Sequence, residues 1–175
     1  FIPEEKRSTL CISSQVGCTL NCSFCHTGTQ KLVRNLTSQE IIGQVIAVYD
    51  DLDLWKKMKN EGDQSSFFEI ITNIVFMGMG EPLLNFDAVI ESAKIMKDQL
   101  AYGLSRKRVT ISTSGIVPNI DRLSKEIDIS LAISLHASEN KLRDQIVPIN
   151  KKYPIESLLR SCKKYLENYQ NKRSI

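Results

Sequence analysis

The sequence predicts an α/β fold built on a parallel sheet, from three observations. Strand-like and helix-like stretches alternate along the chain, as repeated strand–helix units do. Ile70 to Met77 is a near-continuous apolar run, the mark of a strand buried on both faces. The polar motifs fall at the carboxyl ends of the expected strands, where such sheets place their sites. Right-handed crossovers leave two architectures, an open doubly wound sheet or a barrel.

The elements follow in order. Leu10 to Ser13 is a short strand leading into a cysteine-rich loop. Thr37-Ser-Gln-Glu40 is a capping box, and the helix it opens runs to about Tyr49 with Ile41, Val45 and Val48 on one face. Residues 50–68 are polar and read as a surface insertion around Trp55. Ile70 to Met77 is the second strand. Phe86, Val89, Ile90, Ala93 and Leu100 make a helical stripe. Arg108 to Ser112 is the third strand, and Val117 to Lys125 is a helix with Pro118 near its start. Ile127 to Leu135 is the fourth strand, and Glu139 to Ile146 is helical. The last helix starts near Pro154 and buries Ile155, Leu158, Leu159, Cys162, Leu166 and Tyr169; Arg173 to Ile175 opens a fifth strand.

A length of 175 residues suits one domain with its own core. Hydrophobic and charged fractions of 42% and 25% are those of an ordinary globular protein. The net charge of +3 permits an anionic partner such as RNA without demanding one. No apolar run is long enough to span a bilayer, and the first residues lack the basic and apolar regions of a signal peptide. Of five cysteines, four lie between Cys11 and Cys25. That clustering argues for ligands in a reducing, cytoplasmic compartment rather than a disulfide framework. Residue 1 is Phe, so residues 1–175 read as one core truncated at both ends of a longer protein.

Cys18, Cys22 and Cys25 form a Cys-x3-Cys-x2-Cys triplet. Three thiolates can hold three irons of a [4Fe–4S] cluster and leave the fourth open, whereas an electron-transfer cluster normally takes four cysteines. The alternative is a zinc site with His26 as fourth ligand. Gly78-Met-Gly80-Glu81-Pro82 follows the buried strand; its glycines let backbone approach a ligand, and Glu81 is placed to accept from an ammonium group. Ser112-Thr-Ser-Gly115 and Ser134-Leu135-His136 end the third and fourth strands and offer hydroxyls and an imidazole to ribose or carboxylate oxygens.

With these residues in view, the chain resembles radical S-adenosylmethionine enzymes. The triplet matches their signature, and Gly78-Met-Gly80-Glu81 is similar to their Gly-Gly-Glu motif. Cys11-Ile-Ser-Ser-Gln-Val-Gly-Cys18, Arg34-Asn-Leu, Glu40-Ile-Ile-Gly-Gln, Met77-Gly-Met-Gly-Glu-Pro-Leu-Leu-Asn85, Ser112-Thr-Ser-Gly, Ile133-Ser-Leu-His-Ala and Ile146-Val-Pro-Ile-Asn-Lys-Lys narrow this to the RlmN/Cfr family of RNA methyltransferases. Pro82 and the Ile-Asn-Lys-Lys run lean toward the RlmN branch.

The resemblance implies a partial (β/α)6 barrel, of which the four strands read here would be the first four units. It implies a [4Fe–4S] cluster on Cys18, Cys22 and Cys25, and S-adenosylmethionine contacts from Gly80, Glu81, Ser112, Ser134, Leu135 and His136. It implies methylation of adenine C2 in 23S rRNA and tRNA through a methyl-cysteine, with Cfr-like C8 methylation as the alternative. An electron donor such as flavodoxin or ferredoxin and a monomeric state are implied too. Cys11 matches the cysteine that resolves a covalent RNA–enzyme intermediate, leaving a disulfide. The methyl-carrying cysteine falls outside this chain; Cys162, on an apolar helix stripe, reads as an inert buried thiol. A radical enzyme acting on a protein or small molecule is a competing reading. Lys31, Arg34, Arg106, Lys107, Arg108, Lys151 and Lys152 are candidate phosphate contacts, and Lys56, Lys57 and Lys59 read as solvent-facing.

Overall fold

The computed structural model describes residues 1–5, 7–53 and 71–167. The insertion around Trp55 with its three lysines, Ile70, Tyr169 and the strand expected at Arg173 to Ile175 lie outside the described residues.

A five-stranded sheet forms the frame, in the order β1-β2-β5-β6-β7. Its strands are β1 (Ile2–Pro3), β2 (Ser8–Cys11), β5 (Asn73–Phe76), β6 (Val109–Thr113) and β7 (Ser130–Ile133). The last four run parallel, in chain order. β1 pairs antiparallel with β2, a strand the sequence did not suggest because it is two residues long and ends in proline. A second small sheet pairs β3 (Gln15–Val16) with β4 (Arg34–Asn35), pinning the two ends of the cysteine loop together.

α1 (Ser38–Asp51) follows the pattern of its sequence. Thr37 Oγ1 accepts from Glu40 N at 3.2 Å, and Glu40 Oε2 accepts from Thr37 N at 2.9 Å, completing the capping box. Ile41, Val45 and Tyr49 are buried on its inner face. Ile41 and Val45 each contribute about 1.5–3 kcal/mol by leaving water.

α2 (Phe86–Lys97) buries Phe86, Val89, Ile90 and Ala93 as expected. Its stripe ends at Met96; Leu100 lies beyond the cap at Asp98 and is 99% exposed. α3 (Val117–Glu126) carries Pro118 in its first turn. α4 (Asn140–Ile146) is short. α5 (Ile155–Glu167) buries Ile155, Leu158, Cys162 and Tyr165, whereas Leu159 is 54% exposed. Tyr165 takes the inner place and donates to Ile129 O at 2.8 Å.

The strands are covered unequally. Along β5 and β6 burial alternates, with Ile74, Phe76, Val109, Ile111 and Thr113 on the fully buried face. The other face is half covered, contrary to the two-sided burial expected of Ile70 to Met77. Register places Cys11, Val75, Thr110 and Ser130 in one row across that face, and Ser112 with Ala132 in the next. The half-covered face carries the polar strand residues, which need room for a ligand more than apolar packing.

Candidate functional site

A cavity of about 270 Å³ opens at the carboxyl edge of the sheet. Cys18, Cys22, Cys25, Gly80, Glu81, Ser112, Ser134 and His136 all line it. Residues from four separate motifs therefore meet on one concavity, as a small-molecule site requires. Leu135 does not: it packs against the core, and its carbonyl turns toward Arg143. Cys11 shares the face of Ser112 but is not among the lining residues.

The cysteine loop owes its shape to backbone ties. Cys25 N donates to Cys22 O at 3.1 Å, Gly28 N to Cys25 O at 3.0 Å and Cys18 N to Gln30 O at 3.2 Å. Burial pushes the thiols of Cys18 and Cys22 up, and the charge of the other loop sulfurs and of Glu81 adds to this. Such thiols hold their protons unless a metal displaces them. Among the described residues, no three His, Cys, Asp or Glu side chains converge on a single ion. A mononuclear zinc needs that convergence, and His26, its candidate fourth ligand, is exposed and off the cavity. An iron–sulfur cage takes one thiolate per iron and spreads its ligands around its corners. The three cysteines fit that donor set.

The Gly80-Glu81 turn is locked to the cysteine loop. Gln15, which the sequence reading passed over, is 2% exposed. Its Oε1 accepts from Glu81 N at 2.8 Å, and its Nε2 donates to Asn35 Oδ1 at 2.7 Å. Gly80 has φ +94°, and a Cβ there would collide with the Gln15 side chain. Ser13 Oγ accepts from Met79 N at 3.0 Å, and Ser14 N donates to Met79 O at 2.9 Å. Asn85, at the end of the same motif, donates to Ser14 O and Leu36 O.

Glu81 is more occupied than an isolated ammonium acceptor. It is 3% exposed; Oε1 accepts from Leu83 N at 3.2 Å and Oε2 from Ser114 N at 2.8 Å. Burial pushes its carboxyl up, against the pull of hydrogen bonds from Ser114, Thr113 and Leu83. The Thr113 and Ser114 side chains donate to it as well, so a ligand amine at Glu81 would compete with or displace these hydroxyl donors.

His136 closes the rim with φ +57°, a left-handed backbone uncommon outside glycine. Its ring lies 3.8 Å from that of Phe24, centroid to centroid, at 38°. Behind the rim stands Arg143, fully buried at 0% exposure. Its Nε donates to Leu135 O at 3.0 Å, Nη1 to Asn150 Oδ1 at 2.8 Å, and Nη2 to Ser114 O at 2.7 Å and Ser134 O at 3.2 Å. A lone arginine on a short polar helix gave no local sign of this role.

The candidate phosphate contacts divide. Arg106, Lys107 and Arg108 precede β6 and so lie at the edge of the sheet away from the cavity; Arg106 is paired with Asp128 at 3.1 Å. Arg34 is engaged by both oxygens of Glu40 at 2.7 Å. Lys31, Lys151 and Lys152 are exposed. All five cysteines are free thiols, so the disulfide implied for Cys11 has no counterpart in the structure. Among the described residues, no helix is long and apolar enough to cross a membrane.

Comparison with known proteins bears on this arrangement. Residues 12–174 match the family model described as Radical SAM superfamily. The chain is 57% identical over 165 residues to the dual-specificity RNA methyltransferase RlmN of Rhodopseudomonas palustris strain BisB18, covering 94% of this chain and 40% of that protein. The RlmN of Nitrobacter winogradskyi is 55% identical over 165 residues, with 94% and 41% covered. The crystal structure of a radical SAM methyltransferase from Sphaerobacter thermophilus superposes with a TM-score of 0.80 at 40% identity, over 94% of this chain and 45% of that one. The chain thus spans about 40% of the length of the curated relatives it matches.

Proposed function

Since this chain belongs to the radical SAM superfamily, we propose that it is the cofactor-binding core of an RNA methyltransferase acting on adenine C2 in 23S rRNA and tRNA. The observation that carries this is the convergence of Cys18, Cys22 and Cys25 with Gly80, Glu81, Ser112, Ser134 and His136 on one cavity. The relatives named as RlmN support the substrate class.

In this reading Cys18, Cys22 and Cys25 hold a [4Fe–4S] cluster. Bound together, the cluster and S-adenosylmethionine supply one-electron cleavage of a sulfonium and a methyl-derived carbon for adenine. The chain's residues bind, orient and exclude water. Glu81 lines the cavity as the acceptor for the ligand's amine, in exchange for its hydroxyl donors, and the Gly80 turn, packed on Gln15, sets its backbone at the ligand. Ser112, Ser134 and the Leu135–His136 backbone take ribose and carboxylate oxygens. Cys11, on the same sheet face as Ser112, resolves the covalent RNA intermediate. The methyl-carrying cysteine lies outside this chain, in the remainder of a cytoplasmic, monomeric enzyme served by a flavodoxin or ferredoxin.

Anaerobic reconstitution with iron and sulfide tests the site. Broad visible absorption with bound iron supports it; a colourless zinc form overturns it. In the full-length protein, Cys11→Ala is expected to accumulate a protein–RNA crosslink. Unchanged RNA turnover without crosslink would overturn the role given to Cys11, and a loaded parent that neither methylates nor crosslinks RNA would instead favour a radical enzyme with a protein or small-molecule substrate.

A further inference from the structure

Arg143 is a buried cation that no ligand contact explains. No carboxylate pairs directly with its fork: four of its bonds go to the carbonyls of Leu135, Ser114 and Ser134 and to the Asn150 amide oxygen. A buried charge without a directly paired counter-ion is costly; Asp144 offsets part of that cost at one remove, through Asn150, whose Nδ2 donates to Asp144 Oδ1 at 2.6 Å, and the Nη2 side of the fork faces the cysteine loop through Ser114.

The fold brings the cysteine loop to this cation by two routes. Ser23 N, next to Cys22, donates to Ile146 O at 3.1 Å, docking the loop on the end of α4, the helix that carries Arg143. Ser114, whose carbonyl Arg143 holds at 2.7 Å, sets its hydroxyl 4.0 Å from Cys22 Sγ. Cys22 is itself 7% exposed, so little water screens the pair. Burial disfavours the charged form of Arg143, and the charges of Cys22 and Asp144 favour it.

We infer that Arg143 is the counter-charge of the cluster site: its fixed guanidinium, behind Cys22, favours the electron-rich state of whatever sulfur cage the triplet holds. The inference rests on the cluster reading above. The step concerned is entry of one electron from an external one-electron reductant. It adds one negative charge to the cage and its thiolates; no bond is made or broken and no proton moves. Reduction potentials of such clusters respond to net charge and burial, and Arg143 supplies a charge that is itself fully buried.

The test is a redox titration of the reconstituted protein with titanium(III) citrate, read by electron paramagnetic resonance of the reduced cluster. Arg143→Met removes the charge and is expected to lower the reduction equilibrium constant about tenfold or more, which is about 59 mV for a one-electron couple. Arg143→Lys keeps the charge but loses the fork; it is expected to melt at lower temperature while its midpoint stays within about threefold of the parent. If the neutral variant does not accumulate, Arg143→Gln carries the test, because it removes the charge while keeping an amide donor for the carbonyls the fork holds; the midpoint should again fall. A loaded cluster whose midpoint is unmoved in Arg143→Met, or in Arg143→Gln where that variant stands in, overturns the inference and leaves the functional reading intact. A parent protein that takes up no cluster overturns both.

Discussion

Gln15 and Gly80 join the cysteine loop to the Glu81 turn, and a double-mutant cycle reads that joint directly. Gln15→Gly removes the oxygen that accepts from Glu81 N at 2.8 Å. Orphaning that buried N–H costs about 1–3 kcal/mol. The lost side chain leaves a cavity worth about another 1 kcal/mol, and glycine in a strand costs about 0.5–1 kcal/mol. The variant should lose about 3–5 kcal/mol, or roughly 10 °C in Tm for a chain of this size. Gly80→Ala meets two penalties. A side chain at φ +94° is strained by about 1–2 kcal/mol. The new Cβ also stands 2.7 Å from Gln15 Cγ and 2.8 Å from its Oε1. In the Gln15→Gly background the collision disappears and only the strain remains. The two changes should therefore cost less together than their sum, by at least about 1 kcal/mol. Chemical denaturation of the four proteins measures this. Additivity within about 0.5 kcal/mol would refute the packing argument.

Other outcomes are as specific. Thr37→Ala should cost about 1 kcal/mol by opening the capping box, seen as a drop of about 2–4 °C in thermal melts; an unchanged melt would count against the box. The Arg34 guanidinium and the Thr37 N–H hold the Glu40 carboxyl down at about 2. A depressed folded-state value gives stability present above the ordinary carboxylate range and lost as pH falls toward about 2. Glu40→Gln should flatten that acid limb, more clearly at low salt because the pair is exposed; identical pH profiles would exclude the pair. Cys162, buried on α5 away from the cavity, should be replaceable by Ala with full cluster loading, whereas Cys18→Ala should lose the visible absorption. The 175-residue chain alone should load a cluster and give no multiple-turnover adenosine methylation; turnover would refute the placement of the methyl-carrying cysteine elsewhere.

Local chemistry made much of this legible. The Thr37–Glu40 box, the stripe from Phe86 to Ala93 and Pro118 in the first turn of α3 act within one or two helical turns, so spacing reveals them. Leu100 and Leu159 were misjudged because apolar character does not say where a helix stops or how wide its covered face is. Tyr165 took the inner position through a carbonyl 36 residues away. The cysteine triplet and the rim serines were found by residue type and strand position. Gln15, Asn85, Arg143 and Asn150 were not, since each is polar and becomes buried only by pairing with backbone or side chains that lie outside its own helical turn or strand. For Gln15, Asn85 and Asn150, contiguity with recognised motifs was the one available sign: motif length exceeded what ligand contacts need, and the surplus residues brace the loops; Arg143 lies outside those motifs and gave none.

The parallel strands join the sheet in the order in which they occur in the chain. A nascent polypeptide can therefore lay each one against its predecessor as it emerges, without waiting for later segments. The thiol-bearing loop cannot settle on that schedule. Its ties reach forward to Ser114, 92 positions beyond Cys22, and to Ile146. The loop completes its docking only when α4 arrives, and the same helix brings the guanidinium.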